Sequence, residues 1–135
     1  MEYGLQMYSV RDITQENLAD AVAKVAKIGY KLIEFAGFFG NSADAVNAML
    51  RENGVRVSGT HSSLNDLVND YEATLAFHKA IGNANYIIPG HDLSTREKLD
   101  AFIEQVNRLQ PMLEKEGIAL GYHNHDHEFK PNNDG

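Results

Sequence analysis

At 135 residues the chain is long enough for one domain with a packed core, and 43% hydrophobic residues is an ordinary content for a globular protein. Its net charge of −7 argues against general affinity for nucleic acid or anionic membrane. No run approaches the ~20 apolar residues of a membrane span, and the lack of cysteine excludes both a disulfide framework and a thiolate metal site.

No basic leader precedes an apolar stretch at Met1-Glu2-Tyr3-Gly4-Leu5, so no secretory signal is expected. Together with the absence of cysteine, this fits a cytoplasmic protein.

Gly4–Val10 reads as a first strand and Thr14–Ile28 as a helix. Leu18, Ala21, Val22, Val25 and Ile28 share one face of that helix, and Gly29 supplies a left-handed C-terminal residue. Lys31–Ala36 is the second strand. Ser42 opens a helix carrying Val46, Met49 and Leu50 that stops at Gly54, and Val55–Thr60 follows as the third strand. A longer helical stretch, Leu64–Ile81, stops at Gly82, and Asn85–Ile88 is the fourth strand. Ser94 with Glu97 has the form of a capping box for the last helix, Thr95–Glu116. Pro111 should kink or split that helix, because proline cannot donate the ladder hydrogen bond. Gly117 ends it, and Ile118–His125 is the fifth strand.

The order βαβαβαβαβ builds a parallel α/β sheet. An open doubly wound sheet and a (β/α)8 barrel compete. No Gly-rich phosphate loop follows any strand, whereas polar residues stand at the C-terminal ends of many strands, as a TIM barrel requires. They are Tyr8 and Ser9, Glu34, Thr60 and His61, His91, then His123 and His125. A full barrel takes about 250 residues, so residues 1–135 are expected to form a single (βα)4β unit, the first half of a barrel. With two open sheet edges, such a piece should associate with itself or a partner, or belong to a longer chain.

The densest chemistry lies in Gly121-Tyr122-His123-Asn124-His125-Asp126-His127-Glu128-Phe129. Strand alternation puts His123 and His125 on one face behind tiny Ala119 and Gly121, with Ile118, Leu120 and Tyr122 on the other. Two histidines so spaced suit substrate or metal contact, and with Glu128 they would nearly fill a tetrahedral zinc site. His127 has the weaker claim. Glu34 lies between bulky Ile33 and Phe35 and should point into the barrel, as a site residue or as half of a salt bridge. His61 follows Ser58-Gly59-Thr60 and reads either as a functional group or as a loop residue. Tyr8 either lines the pocket floor or simply packs, and Arg11 either meets a phosphate or pairs with Asp12. His91 follows Pro89-Gly90 at a strand end, and His78, within a helix, reads as structural.

Four segments carry a resemblance: Gly4-Leu5-Gln6-Met7-Tyr8-Ser9-Val10-Arg11-Asp12, Gly29-Tyr30-Lys31-Leu32-Ile33-Glu34-Phe35-Ala36-Gly37, Val57-Ser58-Gly59-Thr60-His61 and the histidine-rich run above. Together they resemble the sugar phosphate isomerase/epimerase family of xylose isomerase-like barrels, a superfamily that also includes endonuclease IV-type repair enzymes. The resemblance covers nearly the whole chain and about the first half of a family member. It implies metal-assisted proton transfer next to a carbonyl of a sugar or polyol, with a divalent ion (Mn, Mg or Zn) and Glu128 as the fifth-strand ligand. The remaining ligands would lie beyond Gly135, so the chain alone is expected to be catalytically incomplete and not to bind the ion fully. It favours sugar contacts over zinc for His123 and His125; read from their positions in the strands, Glu34, His61 and His125 are the catalytic candidates and Tyr8 and His123 the substrate-binding ones. Two alternatives stand beside it. One is a metal-dependent nuclease, in which His61 would be a ligand; the other is a non-catalytic, self-associating half-barrel.

Overall fold

The computed structural model describes residues 2–131. Five parallel strands form one sheet in sequential order: β1 (Gly4–Gln6), β2 (Leu32–Phe35), β3 (Arg56–His61), β4 (Asn85–Ile88) and β5 (Ala119–Tyr122). Strictly sequential order decides between the two closures. A doubly wound sheet reverses direction at a switch point, and here each new strand joins the same growing edge, as in a barrel.

Helices cover one face of this sheet: α1 (Arg11–Glu16), α2 (Leu18–Ile28), α3 (Ala43–Asn53), α4 (Leu64–Asn69), α5 (Tyr71–Ala80) and α6 (Arg96–Lys115). The core between sheet and helices has two parts. One gathers Met7, Val22, Val25, Ile33, Phe35 and Val46; the other gathers Leu64, Leu67, Tyr86, Ile88, Leu109, Leu113 and Ile118. Ile33 and Phe35 are completely buried there, each stabilising by roughly 1.5–3 kcal/mol. The residues that alternate with them in the pleat, Leu32 and Glu34, are turned to the other face. Gly4, Gly59, Ala119 and Gly121 keep that inner face shallow, as the alternation in the last strand predicts.

Several boundaries differ from the expectation. The first strand ends at Gln6, and residues Met7–Val10 form a 3-10 turn whose Tyr8 amide is bonded by the Gln6 side chain. The Thr14–Ile28 helix is two helices, because Asn17 adopts extended backbone and its side chain caps α2 at the Asp20 amide. Asp70 divides the Leu64–Ile81 stretch in the same way, capping α5 at Ala73. The cap of α6 is Thr95 rather than Ser94, bonded by the Lys98 amide at 3.3 Å.

Pro111 does not split α6. Leu109 and Leu113, on either side of it, are both buried in the core, which keeps the turns before and after it helical. The fifth strand stops at Tyr122, so His123 and His125 lie just past its end, although His123 still donates its amide to Ile88 O at 2.9 Å. The glycines expected at helix ends do carry positive φ: 118° at Gly29, 61° at Gly54, 72° at Gly82 and 78° at Gly117. Among the described residues no helix is long and apolar enough to cross a membrane.

Candidate active site

At the C-terminal ends of the strands lies a hollow of about 480 Å³, lined by Gln6, Tyr8, Ser9, Glu34, His61, Pro89, His123 and His125. It gathers five of the six residues singled out as site candidates: Glu34, His61, Tyr8, His123 and His125. Glu128 lies outside it and lines a second hollow with His91, Asp92, Leu93 and His127.

A β-bulge aims β3 at the first hollow. Ile33 pairs with Val57 but Glu34 pairs with Gly59, so Ser58 is the extra residue. Val57 packs among the helices, and simple alternation from it would send His61 the same way. The inserted residue reverses the parity. Thr60 goes into the core, while Gly59 and His61 come to the inner face. A Cβ at Gly59 would meet Glu34 Oε2 at 3.2 Å and Ile87 Cδ1 at 3.3 Å, so a larger residue there would press on the carboxylate.

His61 is held between two partners. Its Nδ1 lies 3.1 Å from Gln6 Nε2, and its Nε2 lies 3.2 Å from Glu34 Oε1. The Tyr8 amide donates to Gln6 Oε1. That bond fixes the amide orientation, presents the NH₂ group to the ring, and makes Nδ1 the acceptor. Nε2 therefore carries the hydrogen and faces the carboxylate. Burial pushes the His61 ring below the ordinary histidine value; Glu34 pulls it up, and His123 and His125 push it down further. At neutral pH the ring is uncharged, consistent with the tautomer drawn from the contacts. Gln6 is not among the residues the sequence marks as site candidates. Its only signal is that it shares a strand face with Gly4, looking inward.

The His61 and His123 rings are 4.9 Å apart, His123 and His125 4.8 Å, and His125 and His127 5.7 Å. Imidazoles thus form a row from the inside of the hollow to its lip. Tyr8 stands at the rim, 60% exposed, with the Arg11 guanidinium 4.7 Å over its ring and Arg11 Nη1 donating to Tyr8 O at 3.1 Å.

Glu128 is held in place by the far side of its own segment. The Tyr122 hydroxyl donates to Oε1 at 2.5 Å, the His125 amide donates to Oε2 at 2.7 Å, and His127 Nε2 lies 3.2 Å from Oε1. Burial pushes this carboxyl up, but the Tyr122 hydroxyl, the amides of Glu128 and His125 and the His127 ring outweigh it and hold it at about 2. Burial and Glu128 together push the Tyr122 hydroxyl up to about 12, so it remains a donor.

The other histidines are placed differently. His91 packs on Phe102 with 5.1 Å between centroids. His78 is 4% exposed, with its Nδ1 3.1 Å from Asn83 Nδ2 and 3.4 Å from Thr60 Oγ1, which makes it a core residue.

No family model matches the chain, and no curated protein matches it in sequence. Solved structures do match in shape. A sugar phosphate isomerase/epimerase from Parabacteroides distasonis superposes with a TM-score of 0.78 at 22% identity, over 97% of this chain and 53% of that one. An AP endonuclease of family 2 from Brucella melitensis gives 0.69 at 14% identity, over 90% of this chain and 55% of that one. A xylose isomerase domain-containing protein from Salmonella typhimurium gives 0.65 at 12% identity, over 88% and 47%. The chain spans about half the length of each of these structures. Its fold is that of the xylose isomerase-like α/β barrels, present here as a partial barrel.

Proposed function

We propose that the hollow is one side of a sugar isomerase or epimerase site, which moves a proton next to a carbonyl of a sugar or polyol. The observation that carries this reading is the convergence of Gln6 from β1, Glu34 from β2, His61 from β3 and His123 from the end of β5 on one hollow at the strand ends. Glu34 takes the proton from the carbon beside the carbonyl through Oε2, while His61, locked as the Nε2–H tautomer, steadies Oε1. His123 and Tyr8 bond substrate hydroxyls, and His125 exchanges the proton on the enediolate oxygen. The proton is then returned to the neighbouring carbon, so no external oxidant or reductant is needed.

The donor set fits a divalent ion. Carboxylate with imidazole suits zinc or manganese better than magnesium, which prefers oxygen ligands. Such an ion would act as a Lewis acid toward substrate oxygens; Glu128, which lies outside the hollow, would reach it only if the segment after β5 turned inward. The opposite side of the site would come from further strands, in a longer chain or a second copy, so this chain alone should bind but not turn over.

The test follows the histidine C2–H resonances while ketoses, sugar phosphates and an abasic DNA duplex are added in turn. Polyols should shift His61 and His123, with the shifts weakened in Glu34→Gln, and DNA should leave them unmoved. Tight binding of abasic DNA with no polyol response would overturn the reading in favour of the nuclease. Turnover of a ketose by the chain itself would refute its incompleteness, and gel filtration would show whether a second copy joins it.

A further inference from the structure

Another hollow, of about 510 Å³, lies between the loop after β2 and helices α4 and α5. It shares no lining residue with the hollow at the strand ends. His78 lines it, although that residue is only 4% exposed. The Asn85 amide donates to Asn83 Oδ1, and the Asn83 NH₂ in turn donates to His78 Nδ1 at 3.1 Å, so the ring carries its hydrogen on Nε2. No protein group accepts that hydrogen. Yet among the described residues no buried side-chain nitrogen or oxygen lacks a partner, so His78 Nε2 meets the open space of the hollow.

We propose that this hollow binds a small organic cation with a hydroxyl oxygen near its charged nitrogen, that is, an amino alcohol or amino sugar. Three observations choose that chemistry. The first is charge. Asp66 and Asp70 line the hollow and no lysine or arginine does. Among the described residues neither carboxylate makes an ion pair. Asp70 uses Oδ1 to accept the Ala73 amide, which leaves its other oxygen for a ligand.

The second is the aromatic wall. Phe38 and Phe77 both line the hollow, edge to face with 4.6 Å between ring centroids, and ring faces attract an ammonium group. The third is the donor. His78 Nε2–H asks for an oxygen acceptor, and because burial keeps the ring uncharged at neutral pH it does not repel a cation beside it. The same features reject the alternatives. A carboxylate on the ligand would face Asp66 and Asp70 with no cation to offset them, so an amino acid fits worse than an amino alcohol. A plain polyol would satisfy His78 and leave both acids unmatched. The proposal stands apart from the sugar isomerase reading, because Glu34 and His61 take no part in it.

Ethanolamine is the probe, with ethylene glycol and glycolate as its uncharged and anionic counterparts. The full chain is titrated with each at fixed pH and ionic strength while the C2–H resonances of His78 and His61 are followed. Ethanolamine should shift His78 saturably and leave His61 in place, and the other two compounds should leave His78 unmoved. Asp66→Asn should weaken ethanolamine binding by about 2–5-fold. Phe77→Leu should weaken it by a similar factor through loss of the ring face, and Glu34→Gln should leave it unchanged. The shift in the unsubstituted protein does not depend on any variant folding. No saturable response of His78 to ethanolamine would overturn the proposal. So would an equal response to ethylene glycol, which would show that charge plays no part, or movement of His61 in place of His78, which would put the amine in the strand-end hollow.

Discussion

His78 makes the native state sensitive to acid in a way that can be worked out from its surroundings. The ring is packed among Phe38, Phe77 and Tyr86, and burial brings its pKa from 6.5 down to about 4. The contacts agree with that direction. The Asn85 amide donates to Asn83 Oδ1 at 3.2 Å, which turns the Asn83 NH₂ toward His78 Nδ1 at 3.1 Å, so that nitrogen is already an acceptor. Above pH 6.5 the ring is neutral in both the folded and the unfolded chain, and stability is unaffected. Below it the unfolded chain takes up the proton first, and stability falls by about 1.4 kcal/mol per pH unit until the native ring also titrates near 4. The total loss is about 3 kcal/mol, a large share of the roughly 5–15 kcal/mol that holds a domain together. Urea unfolding followed by circular dichroism between pH 7 and pH 4 measures it. Carboxylates that titrate in the same window are removed by comparison with His78→Asn, whose amide oxygen can still accept from Asn83. The variant should start less stable and lose less per pH unit. Equal slopes in the two proteins, or a native His78 resonance titrating near 6.5, would refute the reasoning.

Gln6→Glu places an acceptor opposite His61 Nδ1 and adds a negative charge, so the ring should take up a second proton and its pKa should rise, as NMR titration would show. Glu34→Gln removes the only group that raises His61, so the same titration should move lower still. Gly59→Ala sets a methyl group 3.2 Å from Glu34 Oε2 and 3.3 Å from Ile87 Cδ1, the ends of two side chains that can move aside, so it should weaken polyol binding through the displaced carboxylate while stability in urea unfolding changes by no more than about 1 kcal/mol. Asn17→Ala should cost about 1 kcal/mol through loss of the α2 cap, with the His61 titration unchanged.

What could be read from the sequence was set by local rules, and what could not was set by contacts between distant segments. Alternation in Ile33-Glu34-Phe35 places Glu34 inward because the two large residues have only one apolar layer to enter, and the structure agrees. The same rule fails in β3. There Val57 and His61 are an even number of residues apart yet face opposite sides, because Ser58 is bulged out of register. A bulge is settled by the neighbouring strands, and nothing in Val57-Ser58-Gly59-Thr60-His61 announces it except the glycine. The two broken helices are the reverse case. Asn17 and Asp70 are of residue types that cap helices, but the apolar stripe running past each reads as one continuous helix. At Pro111 burial of Leu109 and Leu113 overrides the breaker.

Glu128 shows how an early strand end redirects a side chain. As the fifth-strand ligand that the resemblance implies, its carboxylate would stand beside His123 and His125. With β5 ending at Tyr122, the chain is free to curl through residues His127–Phe129, and the Tyr122 hydroxyl captures the carboxylate on the side away from the hollow. The histidines are thereby divided. His61 and His123 face each other over Glu34, while His127 stays with Glu128. His125 alone borders both groups, its ring on the hollow and its amide on Glu128. Any movement of this segment that brings a ligand to one group must therefore be felt by the other.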